Sequence, residues 1–97
     1  MDAVPAVFDS ARPWALSEQV ALRPEPFGAL AYHFGTRRLS FLKSRKLLDV
    51  VETLGDREDA RAACAAAGVT DAELPAYLAA LGALADSGMI REREAVS

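Results

Sequence analysis

The chain is short of the residues on which most protein chemistry depends. Its 97 residues include one cysteine and one histidine. Cys64 has no partner for an internal disulfide, and one Cys with one His falls short of the four ligands of a structural zinc site. Neither a glycine-rich phosphate loop nor a Ser-His-Asp set is present. His33 falls on the small-residue face of a predicted strand, where it reads as a partly exposed strand residue and not as a ligand or base. Glu58-Asp59, and Glu92 with Glu94, read as helix-start and tail charges. No catalytic residue, metal site or cofactor is therefore expected. No apolar run approaches the ~18 residues of a membrane span, so no membrane contact is expected. The opening Met1-Asp2-Ala3-Val4-Pro5 lacks the basic stretch of a signal peptide. The expectation is a cytoplasmic monomer.

What is present describes one small globular domain. Apolar residues make up 52% and charged residues 26%, an ordinary mix, and the length suffices for a single core. The net charge of −3 is unevenly placed. Arg37, Arg38, Lys43, Arg45 and Lys46 fall close together, whereas most acids lie downstream, from Asp49 to Glu94. The cluster reads either as a solvated hairpin edge and helix start or as a landing site for an acidic partner.

The apolar pattern divides the chain into elements. Residues 1–13 read as a loosely attached arm, 14–91 as the domain and 92–97 as a charged tail. Trp14 to Leu22 fits one irregular strand or two short ones with a bulge. Arg23-Pro24-Glu25-Pro26 reads as a connection, because two prolines remove donors. Gly28 to Phe34 alternates Leu30, Tyr32 and Phe34 against Ala29, Ala31 and His33, and Gly35 supplies a turn. Arg38 to Leu42 returns as a strand. Ser44 is a helix N-cap, followed by Leu47, Leu48, Val51 and Leu54 at helical spacing. A second helix starts near Asp56 or Arg57 and carries the small-residue stripe Ala60, Ala63, Cys64 and Ala67. Thr70 and Glu73 have capping-box spacing before a third helix, in which Leu74, Tyr77, Leu78, Leu81 and Leu84 form a broad apolar face. Met89-Ile90 adds a short extended segment. The fold class is α+β, winged helix-turn-helix-like: a three-stranded antiparallel sheet followed by three helices.

That architecture raises DNA binding by a winged-helix regulator as one reading. The helix that would enter the groove, Asp71 to Ser87, carries Asp71, Glu73 and Asp86 and no Lys or Arg. Its charge opposes phosphate binding, so no nucleic-acid partner is expected. The other readings are protein interactions. If strand order follows sequence, Arg38 to Leu42 lies at a sheet edge, where an extended peptide can add as a further strand. The expected site is then Arg37, Arg38, Leu39, Ser40, Phe41 and Leu42 at the edge, with Tyr77, Leu81 and Leu84 lining an apolar groove. Arg37 and Arg38 would pair with carboxylates of the peptide.

Two long strings add a resemblance to this reading. "ALRPEPFGALAYHFGTRRLSFLKS", Ala21 to Ser44, and "GVTDAELPAYLAALGALADSGMIR", Gly68 to Arg91, are similar to mycofactocin-system peptide chaperones. These belong to the recognition elements of ribosomal peptide maturation, whose fold is that of the pyrroloquinoline-quinone peptide chaperone. Within "RLSFLKSRKLL", Lys43 departs from the Leu-Asn-x-Ser/Thr-like helix start of the wider group. The resemblance implies three strands followed by three helices and a non-catalytic protein. It implies binding to the leader region of a precursor peptide. It also implies presentation of that peptide to a radical S-adenosylmethionine (SAM) maturase, whose iron–sulfur clusters carry out oxidative decarboxylation and crosslinking at a C-terminal Val-Tyr. The cofactors would belong to that partner.

Overall fold

The computed structural model describes residues 8–93. In chain order the elements are β1 (Trp14–Leu16), β2 (Val20–Glu25), β3 (Gly28–His33), β4 (Leu39–Leu42), α1 (Arg45–Thr53), a 3-10 turn (Leu54–Asp56), α2 (Ala60–Ala66), α3 (Leu74–Asp86) and β5 (Ile90–Glu92). β2, β3 and β4 form a three-stranded antiparallel sheet in that order, and β1 pairs with β5 in a separate antiparallel ribbon. The α+β class, the antiparallel sheet and the three helices agree with the sequence reading. Of the two readings of Trp14 to Leu22, the two short strands are the one observed, with a crossing between sheets in place of a bulge. The segment divides between the two sheets at residues 17–19.

Pro24 is within β2, opposite Ala29, and not in a connection. The Phe34 amide donates to the Gln19 carbonyl. Antiparallel alternation from that pair puts Pro24 at a position whose nitrogen faces away from β3. A proline is tolerated there because an edge strand needs no donor on that side.

The inner face of the sheet carries the small side chains. Ala29, Ala31 and His33 are buried with Val20 and Leu42 against Leu47, Leu48 and Val51 of α1. Alanine lets the helix lie close to β3, so the bulkier Leu30, Tyr32 and Phe34 are left on the outer face. His33 is thus a core residue. Its Nδ1 accepts the amides of Gly35 (3.0 Å) and Thr36 (3.1 Å) and ties down the hairpin turn. In that turn the left-handed residue is Arg37 (φ 62°), not Gly35. Gly35 gives room instead, since a Cβ there would come 2.9 Å from Cε1 of the buried His33 ring and would displace the flexible Gln19 side chain.

The helices begin where their caps stand. The Ser44 hydroxyl accepts the Leu47 amide at 3.0 Å, and the Asp59 carboxylate accepts that of Ala62 at 2.8 Å. The second cap puts the start of α2 later than Asp56 or Arg57. Thr70 and Glu73 form the reciprocal capping box, Glu73 N to Thr70 Oγ1 at 3.2 Å and Thr70 N to Glu73 Oε1 at 3.0 Å. It closes a turn that leads into α3 at Leu74. Residues 8–13, within the expected arm, are fastened to the body. Phe8 packs on Trp14 with ring centroids 4.9 Å apart, and the Asp9 carbonyl accepts Trp14 Nε1 at 2.8 Å. The rest of the arm, and residues 94–97 of the expected tail, lie outside the described residues.

Two substitutions test these local arguments by denaturant unfolding. Gly28 has φ 150°, and a Cβ there would lie 2.1 Å from the Leu42 carbonyl oxygen and 2.8 Å from the Ser44 nitrogen. Backbone cannot move aside cheaply, so Gly28→Ala is expected to destabilise by more than about 2 kcal/mol. Arg37→Gly is expected to stabilise by about 0.5–1 kcal/mol, the left-handed cost of a side chain less the added freedom of the unfolded chain. A destabilised Arg37→Gly would contradict the turn geometry.

Candidate functional site

β4 ends the sheet, and among the described residues no strand pairs with its outer side. The His33 amide donates to the Arg38 carbonyl at 2.9 Å. Alternation from that pair directs the backbone groups of Arg38, Ser40 and Leu42 toward β3 and those of Leu39 and Phe41 outward. The side chains alternate too, but between faces. Leu42 is 1% exposed in the core, whereas Leu39 and Phe41 stand on the outer face at 57% and 60% exposure.

Beside this edge runs an open apolar groove. One part, of about 390 Å³, is lined by Ser40, Phe41, Lys43, Leu47, Ala80, Ala83 and Leu84. A second, of about 340 Å³, is lined by Lys43, Ser44, Leu47, Ala76, Tyr77 and Ala80. The two share Lys43, Leu47 and Ala80 and so make one trough. The end of β4 and the start of α1 form one wall, and α3 forms the other. Ala76, Ala80 and Ala83 lie at i, i+4 and i+7 on one helical face. A wall of methyl groups leaves room for an approaching main chain that leucines would occupy.

Polar contacts hold the two walls in place. Tyr77 OH and Ser44 Oγ are 3.0 Å apart, which joins α3 to the α1 cap. Lys46 Nζ donates to Glu73 Oε1 at 2.8 Å and to the Gly68 carbonyl at 3.3 Å. The hydrogen bond from Lys46, reinforced by the Thr70 amide, holds the Glu73 carboxyl below the usual carboxylate range. The same bond raises the Lys46 ammonium above its ordinary value.

The structure brings together only part of the expected constellation. Ser40, Phe41, Tyr77 and Leu84 line the trough. Leu81 does not. It is 0% exposed and belongs to the core with Leu54 and Met89, because its side of α3 faces the domain interior. Leu42 is likewise sealed inward. Leu39 lies on the outer face, and Arg37 and Arg38 sit in the exposed turn at the far end of β4, away from the groove lining. Lys43, Ser44, Leu47, Ala76, Ala80 and Ala83 were not singled out as site residues. The alanine spacing in α3 was a readable signal, but it was masked by the larger apolar residues beside it.

The surroundings of the trough are chemically quiet. Among the described residues no cluster of three or more His, Cys, Asp and Glu residues could hold a metal. Every buried side-chain nitrogen and oxygen among them has a hydrogen-bond partner. Cys64 is buried, and that burial pushes its thiol up and disfavours the thiolate. No described helix is long and apolar enough to cross a membrane.

Comparison with known proteins places this sequence in a family. The sequence model of the peptide chaperone MftB family matches residues 13–91. The chain belongs to that family. It is 60% identical over 88 residues to the peptide chaperone MftB of Mycobacterium ulcerans, covering 91% of this chain and 81% of that protein. It is 59% identical over 87 residues to the protein of the same name from Mycobacterium tuberculosis, covering 90% and 80%. The corresponding protein of Mycolicibacterium smegmatis is 58% identical over 83 residues, covering 86% and 81%. No solved structure was found to match. A family of peptide chaperones is not one of catalysts, and the chain is not an enzyme.

The Lys46–Glu73 link between α1 and the start of α3 is testable by pH. The carboxyl of Glu73 is lowered in the folded state, so its stabilisation is present above the unfolded value and disappears as pH falls through the folded one. Glu73→Gln is therefore expected to lower Tm at neutral pH, with the gap to the parent closing through the acid end of the carboxylate range. A gap independent of pH in thermal melts would contradict the charged link.

Proposed function

We propose that this chain is a non-catalytic peptide chaperone of mycofactocin biosynthesis. It takes the leader region of a ribosomally made precursor as an added strand on β4 and presents it to a radical SAM maturase. The observation that carries the reading is the outward backbone of Leu39 and Phe41 beside an open trough, in a chain of a peptide chaperone family. The chain acts as a cytoplasmic monomer that brings no cofactor. In this reading β2–β4 and α1–α3 are arranged as a winged helix-turn-helix, with the hairpin as the wing and the groove beside it as the binding surface.

The energetics favour such a mode. Main-chain pairing tolerates sequence variation, which suits a leader unstructured before binding. Ordering a segment of this kind costs about 2–5 kcal/mol. Two or three leucine-sized side chains, at about 1.5–3 kcal/mol each when fully buried, offset that cost. Arg37 and Arg38 at the exposed turn add about 1 kcal/mol or less each, and act chiefly on the encounter rate.

Titration of the ¹⁵N-labelled chain with a synthetic leader peptide tests the proposal. Amide shifts are expected to concentrate in Arg37–Lys43 and Ala76–Leu84. Shifts concentrated elsewhere would remove this site, and none at saturating peptide would remove the function. DNA binding is the rival outcome. Because α3 lacks cationic residues, no retardation of a duplex at low salt is expected, whereas a salt-sensitive shift would favour a winged-helix regulator.

A further inference from the structure

We infer that the added strand is read on both of its faces, and that the peptide this site accepts is a run of consecutive apolar residues with a carboxylate near one end. The inference rests on strand addition to β4 and specifies the substrate class of that site. A residue directly opposite Leu39 or Phe41 would share their face, the outer one, and its neighbours would point to the α3 side. On the α3 side they would meet Leu47, Ala80 and Ala83. On the outer side they would meet an apolar shelf. Phe41 has its ring 6.1 Å from that of Phe27, and the cross-strand partners of Phe41 and Leu39 are Leu30 and Tyr32.

The outer face of a one-sided antiparallel sheet is ordinarily polar. Here Phe27, Phe34, Leu39 and Phe41 are all substantially exposed. A peptide alternating apolar with polar residues would satisfy only one of the two surfaces, and a continuous apolar run satisfies both. The charge condition comes from Lys43, which lines both parts of the trough. Arg12, Arg23, Lys46 and Arg91 have carboxylate partners within the chain, whereas Lys43, Arg37 and Arg38 have none among the described residues. Three cations at the two ends of β4, without a carboxylate partner among the described residues, complement an acidic peptide and oppose a basic one.

The probe is a fluorescein-labelled synthetic leader peptide, with variants carrying serine at single positions along the bound segment and Gln in place of its acids. Phe27 is not among the residues that line the trough and lies outside β4. Phe27→Ser is expected to weaken parent-peptide binding about tenfold, equivalent to about 1.4 kcal/mol, at unchanged Tm. Serine is expected to weaken binding at each of two adjacent positions of the segment. Lys43→Glu is expected to cost about tenfold at low ionic strength for the parent peptide and little for the Gln variants. Unchanged affinity in Phe27→Ser, or serine effects at every second position only, would overturn two-faced reading while leaving strand addition in place. Equal loss for parent and Gln peptides in Lys43→Glu would overturn the carboxylate assignment. Absence of any binding by the parent chain would instead refute the proposed function itself. Concentration-dependent self-association of the parent, abolished by Phe27→Ser, would assign the shelf to a second copy and overturn the inference.

Discussion

Leu42 lies opposite Ala29 and is sealed in the core, and this placement holds the register of the β3–β4 ladder. Side chains alternate between faces with a period of two, so a slip by one residue would expel Leu42 and bury Phe41. With the register held, the directions of the backbone groups follow. Ser40 is committed to β3, and Leu39 and Phe41 face outward. The crowded approach of Gly28 to the Leu42–Ser44 backbone secures the same junction from the other side. The open edge is thus a consequence of how the core closes.

The trough depends on a division of labour within α3. Leu81 directs its bulk toward the domain interior, Leu84 is buried at the floor of the trough, and Ala76, Ala80 and Ala83 turn methyl groups toward the end of β4 and the start of α1. Tyr77 and Glu73 hold the helix to the first turn of α1 through Ser44 and Lys46. A helix that placed leucines on both sides would close the trough. One that placed alanines on both sides would lack the buried area to stay attached. Both the fold and the opening therefore come from the distribution of large and small residues around one helix.

Much of this was legible in the chain. Ser44 with its periodic Leu47, Leu48, Val51 and Leu54, the Thr70–Glu73 box and the stripe of Ala60, Ala63 and Cys64 all point to what is observed, because caps and helical spacing are local signals. The edge position of Arg38 to Leu42 was legible from strand order. What escaped was set by contacts distant in sequence. His33 and its alanine neighbours are inside because α1 lies close to β3, which residue hydrophobicity does not encode. Pro24 remains in a strand because its nitrogen faces an edge. Leu81 and Ala80 are adjacent in a uniformly apolar helix, so periodicity alone does not tell which of them faces the trough.

Amide hydrogen exchange in the presence and absence of leader peptide measures strand addition most directly. The account predicts that peptide slows exchange at Leu39 and Phe41, whose amides face outward. Ser40 and Leu42, already bonded to β3, should change far less. Equal protection along all of β4, or none at Leu39 and Phe41 while the peptide is bound, would contradict it.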